Sequence, residues 1–214
     1  MLLFDAPLTF QEFMSHEEVP LASIFREALE LLATRDDAVL FGAQAVNAYC
    51  DPPRMTADLD VLSLDAAGLA EVLRATLADR FRIAARVRVV EKERSYRVYQ
   101  LRKPRNRHLA DVRQVDRLPQ SRLLEGVRVV EPADLAAMKV RSIDARRGKE
   151  KGISDRLDLH RLLRAFPALR QQEGEVAERL RAGSAPEAAF ATWREILAER
   201  VEPDEDDLGD PTAS

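Results

Sequence analysis

Hydrophobic and polar positions follow two different periods along the chain, and together they predict an α+β protein. Apolar residues at three- and four-residue intervals predict amphipathic helices, at 20–34, from a cap at Ser63 or Asp65 to about residue 79, and repeatedly after residue 131. Two-residue alternation or short apolar runs predict strands, at 39–41, 57–62, 83–90, 96–101, 108–115 and 127–130.

From residue 132 onward the pattern is helical. Helices are predicted at 132–147, at a segment capped by Ser154 or Asp155, at 168–182 and at 186–201. We therefore predict a core domain with an N-terminal helix at 1–131, a C-terminal helical region at 132–201 and a disordered acidic tail at 202–214.

The stretch 39–62 places two carboxylates directly after a glycine-containing turn. The predicted strand 39–41 ends at Gly42, a short helix of small residues follows, and Asp58 and Asp60 lie in the next predicted strand. Because strand side chains alternate, both acids point to one face while Leu59 points to the other. Like charges about 7 Å apart repel by roughly 2–3 kcal/mol at an effective dielectric near 20. A bound Mg²⁺ ion would reverse that repulsion, whereas the alternative is two solvated acids on an edge strand.

The turn at Gly42 and Ala43 is a candidate phosphate contact. A strand that ends in glycine and enters a helix presents free backbone N–H groups to an approaching anion, and small side chains leave room for it. The alternative is an ordinary tight connection.

A third acid lies on a later predicted strand. Alternation over 108–115 places Asp111 on one face, and pairing between strands would bring it beside Asp58 and Asp60. Asp116 follows at the end of the same strand, so the identity of the third acid stays open between Asp111 and Asp116.

On the helix over 132–147, Lys139, Ser142 and Arg146 recur on one face. That face could reach a polyphosphate, or it could simply be solvated. The next helix carries Asp155, Asp158 and His160 on a predicted polar side.

Composition and charge narrow the class of protein. The chain has 214 residues, 46% of them hydrophobic and 33% charged, and no apolar run approaches the roughly 20 residues of a membrane helix. Its first residues lack the pattern of a signal peptide. A single cysteine, Cys50, excludes an internal disulfide. These features predict a cytoplasmic globular protein without membrane contact.

The net charge of −4 is unevenly distributed. The segment 202–210 is strongly acidic, whereas residues 80–107 hold eleven Lys or Arg against two Glu. That basic segment is the best candidate for contacts with phosphates.

The order of strand, glycine turn, helix, Pro-Arg-x-Thr-x-Asp-x-Asp and a later strand-borne acid resembles the nucleotidyltransferase superfamily, with its polymerase-beta-like fold. The segments 41–46 and 53–60, supported by 132–135 before Lys139 and by Asp155-x-x-Asp158-Leu159, look like the AbiEii/AbiGii-type toxin branch. The resemblance covers about residues 37–165 and implies a mixed sheet flanked by helices, with a C-terminal helical region.

The resemblance also implies roles for particular residues. Asp58 and Asp60 would bind two Mg²⁺ ions. Asp111 would join them as a metal ligand and as the third catalytic acid, which deprotonates or orients the acceptor. Gly42 and Ala43 would hold the phosphates of the nucleotide, although the family usually has Gly or Ser at the second position. The remaining residues would contact the triphosphate or support the site: Lys139 for the triphosphate, and Arg54, Thr56, Ser142, Arg146, Asp155 and Asp158 as supports.

The implied reaction moves a nucleoside monophosphate from an NTP to an acceptor, with tRNA or protein favoured, in a protein that could be the toxin paired with a cognate antitoxin. Two alternatives remain. One is a non-catalytic nucleotide- or partner-binding module of the same fold, and the other is a transferase acting on small molecules such as antibiotics.

Overall fold

The computed structural model describes residues 19–91 and 94–201, and these form helices and strands in mixed order. The helices are α1 (Leu21–Ala33), α2 (Gly42–Asn47), α3 (Ala66–Phe81), α4 (Pro132–Ala145), α5 (Glu150–Ala165), α6 (Glu175–Ala182) and α7 (Glu187–Ala198). The strands are β1 (Ala38–Phe41), β2 (Leu59–Ser63), β3 (Ala85–Val90), β4 (Ser95–Gln100), β5 (Arg107–Gln114), β6 (Ser121–Leu124) and β7 (Val127–Val130). The chain divides into two compact units between Glu131 and Pro132.

The first unit contains one seven-stranded sheet in the order β3-β4-β5-β2-β1-β7-β6. β1 pairs antiparallel with β2 and parallel with β7, and β2 pairs parallel with β5. The sheet is therefore mixed, and the α+β prediction is confirmed. All four residues of β1 are buried, as expected for the continuous apolar run 39–41 near the centre of the sheet.

Helix α3 covers one face of the sheet and contacts β2, β3, β4 and β5. Its apolar stripe is buried, with Leu69, Leu73 and Leu77 each at most 1% exposed. The helix begins where the carboxylate of Asp65 accepts a hydrogen bond from the backbone N–H of Gly68 at 2.9 Å. The polar residues on the other face of β2, β3, β4 and β5 are therefore not covered by α3.

Several boundaries differ from the sequence predictions. β2 begins at Leu59, so Asp58 precedes the strand rather than lying within it. The strand β6 was not predicted, and the predicted helix at 168–182 is instead a 3₁₀ turn at Pro167–Leu169 followed by α6. The predicted tail at 202–214 lies outside the described residues.

Helix α5 also begins earlier than predicted, at Glu150 with Lys149 as its N-cap, rather than at Ser154 or Asp155. In its first turn the helix approaches the preceding loop more closely than a side chain would permit, since a Cβ on Gly152 would lie 2.4 Å from the carbonyl oxygen of Arg146. The predicted polar side of this helix is wrong as well, because Asp155, Asp158 and His160 are all buried.

Candidate active site

Two of the predicted acids lie side by side on neighbouring strands. Asp60 of β2 and Asp111 of β5 are register partners in the parallel pair, and Phe41 of β1 is the partner of Asp60 on the other side. Register partners project to the same face of a sheet, so the two carboxylates share the face opposite α3. Folding thus brings together two acids that are 51 positions apart in the sequence.

Gly42 lies against the carboxylate of Asp60. Its φ is +73°, in the left-handed region, and a Cβ at this position would lie 2.1 Å from Oδ2 of Asp60. Both the backbone conformation and the contact require a residue without a side chain. The turn between β1 and α2 is therefore packed directly on one of the candidate acids.

Helix α2 holds the loop that leads to Asp58. The side-chain amide of Asn47 donates to the carbonyl oxygen of Arg54 at 2.7 Å, and its Oδ1 accepts from the backbone N–H of Arg54 at 3.0 Å. Thr56 donates to Oε1 of Gln44 at 3.5 Å. Two buried amides thus fix the segment that carries Arg54 and Thr56 into β2.

Asp58 is bound by a histidine from β5. Nδ1 of His108 lies 2.8 Å from Oδ2 of Asp58, and Nε2 of the same ring lies 3.1 Å from the carbonyl oxygen of Ala110. Asp58 and Asp60 keep partial exposure, 25% and 21% of their side chains. The pair that the motif predicted as metal ligands therefore remains accessible.

Asp111 is more enclosed and has several partners. Ser95 donates to its Oδ1 at 2.8 Å, and Nε of Arg97 lies 3.4 Å from its Oδ2. Arg113 approaches both acids, at 3.7 Å from Asp60 and 3.8 Å from Asp111. A hydrogen bond with Tyr99 raises the pKa of Arg97, and the charge of Asp111 adds to that effect, so Arg97 stays cationic beside the acids.

Several solved structures are similar to this chain. JHP933 from Helicobacter pylori superposes with a TM-score of 0.56 at 18% identity, covering 83% of this chain and 76% of its own. The Megavirus polyadenylate synthase gives 0.52 at 12% identity, covering 68% of this chain and 32% of its own. A candidate nucleotidyltransferase from H. pylori gives 0.50 at 14% identity, covering 89% and 96%.

The chain has the nucleotidyltransferase fold. This confirms the fold expected from the resemblance of residues 37–165. No protein-family model matches the sequence, and no curated protein matches it.

The nucleotidyltransferase fold raises the question of whether these residues suit magnesium. Among the described residues, no group of three or more His, Cys, Asp or Glu side chains is arranged to hold a metal ion. Asp58 faces His108, and Asp111 faces Ser95 and Arg97. However, Mg²⁺ is ordinarily held by one or two carboxylates, with waters and substrate phosphates completing its shell. The partly exposed, hard-oxygen pair Asp58 and Asp60 fits that requirement.

The two candidates for the third acid lie in different places. Asp111 is the register partner of Asp60, whereas Asp116 is exposed and follows Gln114, the partner of Ser63 at the far end of β2. The geometry therefore favours Asp111 as the acid that can act together with Asp60.

The candidate residues of the second unit form one buried ion network. Nζ of Lys139 lies 2.7 Å from both Oδ1 of Asp155 and Oδ2 of Asp158. Ser142 and Arg146 donate to the other oxygen of Asp155, at 2.7 and 3.0 Å. Burial raises the pKa of Asp155, but the charge and hydrogen bond of Lys139, helped by Ser142 and Arg146, outweigh it and hold that pKa below its ordinary value.

Lys139 is therefore neutralised within its own unit, with 7% of its side chain exposed. Its contact with a triphosphate stays a prediction, as do the supporting roles of the other four residues.

Sequence reasoning missed the side chains that bind the acids. The sequence pattern does not indicate that His108 binds Asp58 or that Ser95 and Arg97 contact Asp111. Nor does it indicate that the amides of Gln44 and Asn47 hold the loop before β2. One available signal was strand alternation, which places Arg113 on the face of Asp111.

Across the described residues, no helix is both long and apolar enough to cross a membrane.

Proposed function

We propose that the protein is a magnesium-dependent nucleotidyltransferase that moves a nucleoside monophosphate from an NTP to an acceptor hydroxyl. The observation that carries this proposal is the register pairing of Asp60 and Asp111 on adjacent strands, with Gly42 packed against Asp60. A partly exposed carboxylate beside a glycine turn, with a second carboxylate on the neighbouring strand, is what metal-assisted phosphoryl chemistry needs.

In this proposal each candidate residue has a separate role. Asp58 and Asp60 would hold the metal, with two ions expected, and bound magnesium would stabilise charge on the attacking and leaving oxygens. Asp111 would orient or deprotonate the acceptor hydroxyl. The acceptor oxygen then bonds to the α-phosphorus as the bond to the bridging oxygen breaks, and pyrophosphate leaves. The backbone at Gly42 and Ala43 would bind phosphate oxygens.

The finer assignments rest on the resemblance. The motif segments 41–46 and 53–60 support the AbiEii/AbiGii-type toxin branch, and with it a tRNA or protein acceptor, a cognate antitoxin and a cytoplasmic location. Lys139 would contact the triphosphate. For that contact, its ammonium would have to leave the carboxylate of Asp155 or of Asp158 and bind a phosphate oxygen instead.

Label transfer tests the enzymatic proposal. The protein is incubated with each α-labelled NTP, magnesium, and separate pools of tRNA and protein. We expect label in one acceptor pool, lost on removal of magnesium and in Asp58→Asn. Absence of transfer, together with absence of magnesium-dependent NTP binding, would show that the proposed reaction is wrong.

One observation favours a second candidate, a non-catalytic binding module. Asp58 and Asp111 already have partners from the protein, namely His108, Ser95 and Arg97. Such pairing would stabilise the acids without any metal. Magnesium-independent NTP or partner binding without label transfer would select this candidate.

A further inference from the structure

A row of charged side chains runs across the sheet from its β3 edge to the candidate acids. Arg88 of β3 is the register partner of Arg97, Arg97 is the partner of Asp111, and Asp111 is the partner of Asp60. Register partners share a face, so this row lies on the face opposite α3. The order of charge along it is two arginines followed by two acids.

A second row runs beside the first. Arg86 of β3 is the partner of Tyr99, and Tyr99 is the partner of His108, which binds Asp58. The rings of Tyr99 and His108 are 5.1 Å apart. Both rows therefore begin with an arginine on the edge strand and end at a candidate metal ligand.

The two arginines of the edge strand are placed to bind something outside the protein. Arg86 and Arg88 are exposed, and they form no ion pair or side-chain hydrogen bond with any residue in the described part of the chain. In contrast, Arg97 and Arg113 already lie near Asp111. Positive charge without a partner is thus concentrated at the edge, away from the acids.

We infer that the surface formed by Arg86, Arg88 and Tyr99 binds the backbone of a single-stranded polynucleotide whose terminal ribose hydroxyl is the acceptor of the proposed reaction. This inference rests on the proposed function, because it names the class of its acceptor. Arginine side chains bind phosphates, and the exposed part of the half-buried Tyr99 ring, which lies against His108, offers a stacking surface for a base.

The spacing of the strands suits a chain molecule. Neighbouring strands lie about 4.8 Å apart, so Arg88 stands roughly 10 Å from the position of Asp111 and 14 Å from that of Asp60. A compact acceptor held at the acids would not extend that far, whereas a strand with its end at the acids would pass over the edge. The order of charges along the row also orients the polynucleotide, because the acids repel its internal phosphates and the arginines attract them.

The competing explanation is that Arg86 and Arg88 only protect the sheet edge from pairing with other strands. A matched pair of variants separates the two. Arg86→Gln/Arg88→Gln removes both edge charges. Arg74→Gln/Arg80→Gln removes two charges from α3, which covers the opposite face, namely the half-buried Arg74 and the exposed Arg80, which pair with Glu71 and Glu27. Thermal unfolding of both variants verifies that each is folded.

Binding of a fluorescent single-stranded oligoribonucleotide is measured by polarisation over a salt series, with the DNA oligonucleotide of the same sequence alongside. We expect Arg86→Gln/Arg88→Gln to bind at least about tenfold more weakly, with a salt slope lower by about 1.4, since each single-strand phosphate contact contributes about 0.7. The α3 variant should retain wild-type affinity. Label transfer to RNA should fall with binding, while magnesium-dependent NTP binding stays unchanged.

Equal affinity and slope in the two double variants would overturn the inference and leave edge protection. Label transfer to protein but not to RNA would also overturn it, while leaving the proposed reaction intact. Label transfer to the DNA oligonucleotide as well as to RNA would support a polynucleotide acceptor but would overturn the assignment of a ribose hydroxyl. Conversely, loss of all NTP binding and transfer in the wild type would overturn the proposed function itself, and with it the acceptor role of any RNA bound at the edge.

Discussion

The two units each gather acids and bases, but they do so in different ways. In the first unit, Asp60 keeps 21% of its side chain exposed beside the buried Asp111, and the contacts of these acids with Arg97 and Arg113 are long, 3.4–3.8 Å. In the second, Lys139 lies 2.7 Å from two carboxylates in a buried network. The first cluster leaves the partly exposed carboxylate of Asp60 accessible to a ligand, whereas the second satisfies its charge internally.

This difference separates function from stability. Two acids on neighbouring strands repel each other, so an unoccupied pair costs the folded state free energy that a ligand can recover. A buried ion network does the opposite, since removal of one partner leaves an uncompensated buried charge. Substitutions in the two clusters should therefore affect different measurements.

The largest expected effect is on activity. Asp60→Asn or Asp111→Asn should reduce label transfer by about 10²–10³-fold or more, because each removes charge that acts on the transition state. For the partly exposed Asp60, the free energy of unfolding measured by denaturant titration should change little. Asp116→Asn, an exposed acid beyond the end of β5, is the matched control and should transfer at the wild-type rate. Loss of activity in that control instead would assign the third acid to Asp116.

Next in size is the loss of the lysine in the second unit. Lys139→Met should lower the free energy of unfolding by about 3–5 kcal/mol, since Asp155 and Asp158 are left buried without their cation. Lys151→Met, at an exposed position on α5, serves as the control and should be neutral. If Lys139→Met unfolds like the wild type but binds NTP more weakly, the network is not structural and the triphosphate contact is supported.

A smaller effect is expected at the turn. Gly42→Ala should cost about 1–3 kcal/mol of stability from its positive φ, and it should also displace the carboxylate of Asp60 and reduce transfer. Gly148→Ala has a matching φ of +76° but meets no atom within 4 Å, so it should show the backbone cost alone. Equal activity in the two variants would mean that contact with Asp60 is unimportant.

Local pattern was enough to predict much of the fold but only half of the site. The apolar run 39–41 predicts β1, and the alternation around Asp111 predicts β5. Both predictions succeed because each pattern reflects which residues of one short segment are buried. The partners of the acids depend on sheet order instead: His108 reaches Asp58 across 50 positions of sequence.

The second unit illustrates the same limit. Lys139, Ser142 and Arg146 at helical spacing are compatible with a solvated face, and only the packing of α5 on α4 buries Lys139. The first turn of α5 likewise includes a close approach of Gly152 to Arg146, a tertiary contact that no capping rule includes.

The smallest expected effect is a dependence of stability on pH that belongs to the second unit. The pKa of Asp155 lies below its ordinary value of 3.8 in the folded protein, so the folded state binds a proton at Asp155 less readily than the unfolded state does. Its contribution is therefore fully present above about pH 4 and is lost as the pH falls through the lower, folded pKa. Denaturant titrations of the wild type and Asp155→Asn should differ by a constant amount above about pH 4 and converge as the pH falls further, through the folded pKa. A difference that stays constant down to pH 3 would mean that Asp155 stabilises the network by packing and hydrogen bonding rather than by its charge.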